Sequence, residues 1–368
     1  MLTVRKYFSI FVNIEMENCI ENVFAKKLKS ARLLSGLSLR KLAEKMSIDL
    51  SAQALNLYEK GERKPDSSII IALSEALQVP IDYFFRDSNI KLGNVEFRKK
   101  SKLGKKDIQK IKEFVIDYLE RYIEIERILN VRYEFTNPLE KIVINSIEDI
   151  ETASQELRKN WEIGMNPVSN VIEMLEDKGV KIVEIDADQS FDGLATWVES
   201  IPVIVVNQNI DIVRKRFTVI HELAHLLLSF HENLNDKSIE KFCNNFAGAF
   251  LLPEASLKSF LGVKRNHISI QELIEIKDYF GISIAAIVYR AYNLNIIPES
   301  FLKGFFFGLN KEKQRNEANL GKYVGEESSS RFERLVLKAA SEEIITFSKA
   351  SQLMKQNLEE FRRGFEVF

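Results

Sequence analysis

Phe217-Thr-Val-Ile-His221-Glu222-Leu-Ala-His225-Leu-Leu-Leu228 is an apolar run that holds two of the four histidines of the chain. Its period is helical, and on a helix residues four apart share a face. His221 and His225 can then bind one metal ion, with Glu222 beside it to take the proton of a bound water. An HExxH pentapeptide alone recurs by chance on helices. The apolar flanks strengthen this one, because a buried active-site helix needs them. A third ligand has to lie downstream, and Glu240-Lys-Phe-Cys-Asn-Asn-Phe-Ala-Gly-Ala-Phe-Leu-Leu-Pro253 supplies it. Phe242, Cys243, Phe246, Ala247, Phe250 and Leu251 give this segment the apolar face of a second helix, with Asp236 as its expected N-cap. Glu240 completes a His2Glu zinc site and leaves a fourth position for water. Asn244, one turn on, is placed to hydrogen-bond the outer nitrogen of a ligating histidine. The rival third ligands are His231, Glu232 and Glu254. His231 and Glu232 fall in a loop over 229–236, where a histidine is more often exposed, and Glu254 lies past the proline, so Glu240 ranks first. Cys243 reads as a small core residue.

At 368 residues the chain is too long for one ordinary core and calls for two or three domains. A composition 45% hydrophobic and 29% charged is that of a folded, water-soluble protein. No apolar run approaches the roughly 18–20 residues of a membrane span. Residues 1–21 read as a tail and not a signal peptide, since Asn13 and Glu15 interrupt the apolar patch and no small-residue cleavage site follows. Two distant cysteines, Cys19 and Cys243, make no disulfide framework and fit a reducing cytoplasm. The net charge of −1 hides an asymmetry: residues 22–106 hold 18 lysines and arginines against 9 acids. A basic module on an acidic body points to a polyanion for the first part only, although a solvated lysine-rich face has the same signature.

That basic part reads as a run of short helices. Phe24, Leu28, Ala31 and Leu33 begin an amphipathic segment that stops near Gly36. Ser38 can cap a second helix with Leu39, Leu42, Ala43 and Met46, and Ser51 a third that Gly61 ends. Pro65 precedes a fourth, from Asp66 to Leu77, and Val79-Pro-Ile-Asp-Tyr-Phe-Phe85 closes the set. This is the helix-turn-helix plan, in which the third helix would enter the major groove of double-stranded DNA. Gln53 and Asn56 could meet base edges, since amides pair bidentately with adenine. Ser51, Lys60 and Arg63 could meet phosphates. The run Leu37-Ser-Leu-Arg-Lys-Leu-Ala-Glu-Lys-Met46, followed by Ser51-Ala-Gln-Ala-Leu-Asn-Leu-Tyr-Glu-Lys-Gly-Glu-Arg-Lys-Pro65, resembles the XRE/Cro-repressor family of DNA-binding domains. One departure is Leu39, where the family often has glutamine. The basic run Phe97–Lys106 reads as a solvated linker, with contact to the DNA backbone as the alternative, and Lys105–Asn130 has the spacing of a connecting or dimerising helix, best read as core packing.

A second resemblance covers the motif region. Leu157-Arg158, Trp161-Glu-Ile-Gly164, Pro167, Gly179-Val180, Phe191-Asp-Gly193, Val203-Ile-Val-Val-Asn207, Arg216-Phe-Thr218, His221–His225 and Glu240-x-x-Cys-Asn-x-Phe-Ala247 are similar to the ImmA/IrrE family of zinc metallopeptidases. Ile201–Asn207 reads as a β-strand before the catalytic helix. The resemblance implies that an edge strand near the metal holds an extended substrate by β-addition, and that a helical subdomain follows. Ser269–Ile297 has the outline of that subdomain. Residues 310–330, with Gly321, Gly325 and Ser328–Ser330, read as a flexible connection. Arg331–Arg363 reads as helical, with Gly364 as its stop.

The expected fold is α+β, mostly α. A tail (1–21) leads to an all-α helix-turn-helix domain (22–88), then to a basic linker and connecting helix (89–145). A zincin-like metallopeptidase domain with a small sheet (146–265), a helical subdomain (266–310) and a helical C-terminal region (311–368) follow. The expected function is that of a cytoplasmic DNA-binding regulator, a homodimer because one helix-turn-helix reads only a half-site. Its Zn2+ peptidase half would cleave a regulatory protein: a repressor, an antitoxin-like partner, or itself. The alternative is a non-proteolytic repressor or antitoxin whose peptidase fold serves as a sensor or partner platform.

Overall fold

The computed structural model describes residues 23–86, 104–131, 134–311 and 320–365. The expected tail 1–21 and the basic run 97–103 lie outside the described residues. The fold is mostly helical with two small sheets. The chain divides into two compact units. One comprises the described parts of Met1–Lys91, Leu103–Asn130 and Leu335–Phe368; the other runs through Val131–Arg334.

In the first unit, helix α1 spans residues 23–34 and ends at Gly36, whose φ of 65° suits a residue without a Cβ. Helix α2 (Leu39–Lys45) starts where the Ser38 side chain accepts the Lys41 amide, and α3 (Ala52–Lys60) where Ser51 accepts the Ala54 amide. Gly61 ends α3 at φ 71°. Asp66 caps α4 (Ser67–Leu77), and a 3-10 turn, Ile81–Phe85, closes the module. Their apolar faces meet in one core that includes Leu28, Leu42, Leu55, Leu73 and Phe84. Leu39, the departure from the family pattern, packs against it. Arg32 clasps α1 to α3 through a fork to Glu59 at 2.5 and 2.8 Å. Helix α5 (Lys105–Ile128) buries Ile111, Val115, Leu119, Tyr122 and Ile125, and Glu113 and Glu120 on it meet Ser30 and Lys27 of α1.

The second unit is built around a three-stranded sheet. Strand β1 (Val143–Ile144) stands apart and pairs in parallel with β5 (Ser229–Phe230). Between them come α6 (Ile147–Asn160), α7 (Val171–Asp177), β2 (Lys181–Ile185), β3 (Gly193–Val198), β4 (Ile201–Asn207) and α8 (Ile212–Leu227). The sheet order is β2-β4-β3, with β2 and β4 parallel and β3 antiparallel to β4. The strand anticipated at Ile201–Asn207 is therefore central and buried, and β3 takes the edge beside α8. A run apolar at nearly every position needs cover on both faces, which only a central strand has. Helices α9 (Asp236–Leu251), α10 (Glu254–Leu261), α11 (Ile270–Phe280), α12 (Ile284–Asn293) and α13 (Glu299–Lys311) complete the unit. One core runs from Leu139 to Ile297, so α11 and α12 share it with the sheet and α8. Asn235, not Asp236, caps α9, its side chain accepting the Ser238 amide; Asp236 is the first helical residue.

The C-terminal part is helical as expected, but the loose connection before it and the stop at Gly364 need correction. Residues 320–330 are no loose connection. Glu327 is fully buried, paired with the equally buried Arg216 of α8, and accepts the Val171 and Ile172 amides at the start of α7. Arg216 also donates to Val168, Phe280 and Gly281 carbonyls, and the Tyr323 ring covers its guanidinium at 4.8 Å. Ser329 and Ser330 bond to Glu176 and Glu173. The glycines and serines gave the segment a loop composition, but one buried acid ties it down. Arg331–Arg363 is helical, in three pieces. It forms α14 (Arg331–Ser341), α15 (Phe347–Met354) and α16 (Leu358–Phe365), with Glu343 and Lys355 at positive φ between them. Thr346 caps α15, and α16 runs through Gly364. In the first unit Arg121 of α5 donates to the Leu353 carbonyl and Lys355 meets Asp117 at 2.6 Å, so the C-terminal end of α15 is bonded to α5.

Arg216→Met would leave the Glu327 charge buried and uncompensated. It should cost about 3–5 kcal/mol, lower Tm and open 320–330 to protease. An unchanged Tm with full protease resistance would contradict the strap. Glu176 gives a pH signature. Burial pushes its carboxyl up to about 7, against weaker pulls from Ser329, the Arg331 amide and Lys181. The folded state then holds the proton more tightly than the unfolded chain, so stability is greatest in acid and declines as pH rises through about 7. Between pH 5 and 8 the wild-type Tm should fall further than that of Glu176→Gln; equal slopes would refute this.

Candidate metal centre and DNA-reading face

Helix α8 forms because Asp211 caps it through the Val213 and Arg214 amides and its apolar residues fall at core-facing positions. Val219, Ile220, Leu223 and Ala224 are buried, which turns His221 and His225 toward α9. There Phe242, Cys243, Phe246 and Ala247 sink into the core and leave Glu240 at the edge of the buried face. His221 Nε2 and His225 Nε2 stand 3.2 Å apart. Glu240 Oε2 is 3.5 Å from the first, and its Oε1 is 3.6 Å from the second. Two ligand atoms bound at about 2.0–2.1 Å to a tetrahedral ion stand roughly 3.3–3.4 Å from each other. The two imidazole nitrogens fit that spacing, and each has one oxygen of the Glu240 carboxylate within 3.6 Å. Two imidazoles and one carboxylate are also the donors zinc takes. All three side chains are more than half buried, at 15%, 7% and 27% exposure.

Among the described residues this is the group of His, Cys, Asp and Glu that converges on one point. The rivals lie elsewhere. His231 is exposed in a turn, its Nδ1 accepting the Asn233 amide, and Glu254 pairs with Lys258 along α10. Asn244 is exposed; the group beside the outer nitrogen of His225 is Cys243, with Sγ 3.3 Å from Nδ1. His221 Nδ1 is buried with no partner among the described residues. The cysteine's place beside the ligand is set by the three-residue step from Glu240, a spacing that the sequence displays but that a core position explains equally well.

Glu222 follows His221 and is half-buried. The edge strand reaches it through Gly193. A Cβ there would stand 2.8 Å from Thr218 Cγ2, 3.0 Å from the Val205 carbonyl oxygen and 3.4 Å from Glu222 Cγ. Only a glycine lets the start of β3 lie this close to α8. Asn207 holds the approach: fully buried, it donates to the Ala187, Asp188 and Phe191 carbonyls of the preceding loop. Neither residue had been given a role in the sequence, since each acts through backbone it does not adjoin.

In the first unit, α2 and α3 form the helix-turn-helix pair. Gln53 is exposed and Asn56 half-buried on α3. The Ser51 hydroxyl is engaged by the Ala54 amide, Lys60 stands 3.8 Å from Glu62, and the Arg63 guanidinium lies over the Tyr58 ring at 5.5 Å. Ser51, Gln53, Lys60 and Arg63 are all exposed.

Comparison with known proteins finds a family match for each of the two regions. Residues 28–84 match a helix-turn-helix family, and residues 175–292 match the M78 peptidase family described as IrrE N-terminal-like domain. An uncharacterized HTH-type transcriptional regulator of Rickettsia conorii is 41% identical over 66 residues, 18% of this chain and 51% of that protein. One of Rickettsia prowazekii is 39% identical over 66 residues, covering 18% and 49%. One of Sinorhizobium medicae is 30% identical over 76 residues, covering 21% and 53%. The chain thus spans about half the length of the curated relatives it matches. The crystal structure of Bacillus thuringiensis PlcR with the peptide PapR7 and DNA aligns over 94% of this chain and 100% of that one. At 13% identity and a TM-score of 0.16 it carries no argument. With the capped helices of the first unit, the convergence of His221, His225 and Glu240 in the second, and these matches, the chain joins an XRE-type helix-turn-helix domain (28–84) to an IrrE-like domain of the M78 peptidase family (175–292).

Proposed function

We propose that the protein is a DNA-binding transcription regulator whose second unit is a zinc-dependent peptidase acting on a regulatory protein. The observation that carries the peptidase half is the convergence of His221 and His225, with Nε2 atoms 3.2 Å apart, on the Glu240 carboxylate, whose two oxygens lie 3.5 and 3.6 Å from them, beside Glu222. These three residues would hold Zn2+. Zinc so bound lowers the pKa of a water to about 7 and polarises a peptide carbonyl. Glu222 accepts the proton of the attacking water and returns it to the leaving amine nitrogen. The outer edge of β3, brought onto α8 by Gly193, offers backbone N–H and C=O groups to an extended peptide. Cys243 packs against the outer side of His225 and restrains that ring.

The DNA half rests on the helix-turn-helix module. Gln53 and Asn56 of α3 would face base edges in the major groove; Ser51, Lys60 and Arg63 would line the phosphates. One module reads one half-site, so the regulator would act as a homodimer on a two-fold operator. A peptidase tethered to such a reader serves best against a repressor or antitoxin-like partner, or its own chain, within the cytoplasm. No helix of the described residues is long and apolar enough to cross a membrane.

Glu222→Gln should keep one zinc per chain and lose peptide cleavage by about 10²–10⁴-fold, while His221→Ala should lose the zinc. Metal analysis and mass spectrometry of a peptide pool read both. A regulator that controls its operator normally as Glu222→Gln would instead favour a sensor or partner platform. On DNA, Gln53→Ala should cost about 1–3 kcal/mol at one base position, and Lys60→Ala should lower the salt slope of binding by roughly one without changing base preference. Uniform weakening by Gln53→Ala at all positions would contradict its assignment.

A further inference from the structure

A cavity of about 490 Å³ lies within the second unit, where α9 and α12 meet α6 and α8. None of His221, Glu222, His225 and Glu240 lines it. Its size falls in the range of about 300–1,000 Å³ typical of small-molecule sites. From α9 it is lined by Lys241, Asn244, Asn245 and Gly248. Residues 241, 245 and 248 share one face of that helix, since steps of three and four residues bring side chains into line. Gly248 leaves space there: a Cβ would find Arg290 Cδ, its nearest neighbour, only at 3.9 Å.

We propose that this cavity is a binding site for a small aromatic carboxylic acid, separate from the metal centre. Three observations select that chemistry. First, the charged side chains in the lining are Lys241, Arg290 and Glu151, two cations and one acid. Arg290 and Glu151 cancel in a fork at 2.6 and 2.9 Å, and Arg290 Nε donates to the Leu252 carbonyl. The charge left over is that of Lys241, exposed at the rim with no ion pair among the described residues. It attracts an anion and repels an amine. Second, Asn293 donates to Asn245 Oδ1 at 2.9 Å, while Asn245 Nδ2 is buried without a partner among the described residues. A buried donor left over calls for an acceptor, and it stands one helical turn from Lys241. The two oxygens of a carboxylate serve both donors. Third, Phe217, Tyr289 and Tyr292 line the cavity with aromatic side chains, joined by Ile147, Ala285 and Ala286. Such walls take a flat ring by offset or edge contact, and a bare inorganic anion would leave them wet. The proposal does not rest on zinc or on peptide cleavage.

Calorimetric titration of the zinc-loaded full chain tests this with three probes: 1-naphthylacetate, its neutral amide 1-naphthylacetamide, and acetate. Naphthylacetate should bind at least about tenfold more tightly than the amide, which lacks the charge-assisted bonds, and than acetate, which lacks the rings. Lys241→Gln, at an exposed side chain with little burden on folding, should bring the acid and the amide to equal affinity. Ala286→Trp, which fills the cavity, should abolish binding of the acid. Saturating acetohydroxamate, a zinc chelator, should leave binding of the acid unchanged. No binding of naphthylacetate to the wild type, equal wild-type affinity for acid and amide, or a preference for the acid that survives Lys241→Gln overturns the proposal. Displacement of the acid by acetohydroxamate overturns it as well, because the carboxylate would then sit on the metal.

Discussion

Helix α8 is constrained on every side, and the second unit follows from those constraints. Its 3.6-residue turn sends Val219, Ile220 and Leu223 into the core, Thr218 and Glu222 against the first residue of β3, and His221 and His225 toward α9. One turn earlier, Arg216 is fully buried and needs an equally buried acid. Glu327 answers it from a segment more than a hundred residues away, and in doing so also satisfies the first amides of α7. A rotation of α8 by one residue would bury an imidazole and expose Leu223. The register of this helix is thus held by its charge pair as well as its apolar stripe, and the metal-ligand geometry depends on that register.

The parts legible in the sequence are those fixed by neighbours a few residues apart. Ser38, Ser51 and Gly61 end helices through bonds to amides within one turn, and they do so here. The HExxH helix and the Glu240 helix follow from apolar periodicity, and the two histidines and the glutamate do converge. What the sequence hid was set by distant partners. Ile201–Asn207 announces a strand but not its rank in the sheet, which depends on β2 and β3 flanking it. The 320–330 segment has loop composition, and only the burial of Glu327 against Arg216 fastens it. The breaks between α14, α15 and α16 fall at Glu343 and Lys355, residues with no local signal for positive φ. Asn235 and Asp236 are both good caps, and nothing local ranks them.

The two units are not successive along the chain. The first unit takes residues from before and after the second, and its C-terminal helices bond to α5 through Arg121 and Lys355. The 320–330 strap, anchored on α8 at Arg216, five residues before His221, leads in sequence directly into α14. The chain therefore enters the second unit after α5 and returns to the first within α14.

The central claim is that two imidazoles and one carboxylate hold zinc, with the Cys243 sulfur outside the coordination shell. X-ray absorption at the zinc edge of the loaded protein measures this most directly. The account predicts nitrogen and oxygen donors alone, at about 2.0–2.2 Å. A sulfur scatterer at about 2.3 Å would contradict it, because Cys243 would then have displaced Glu240 or a histidine as ligand.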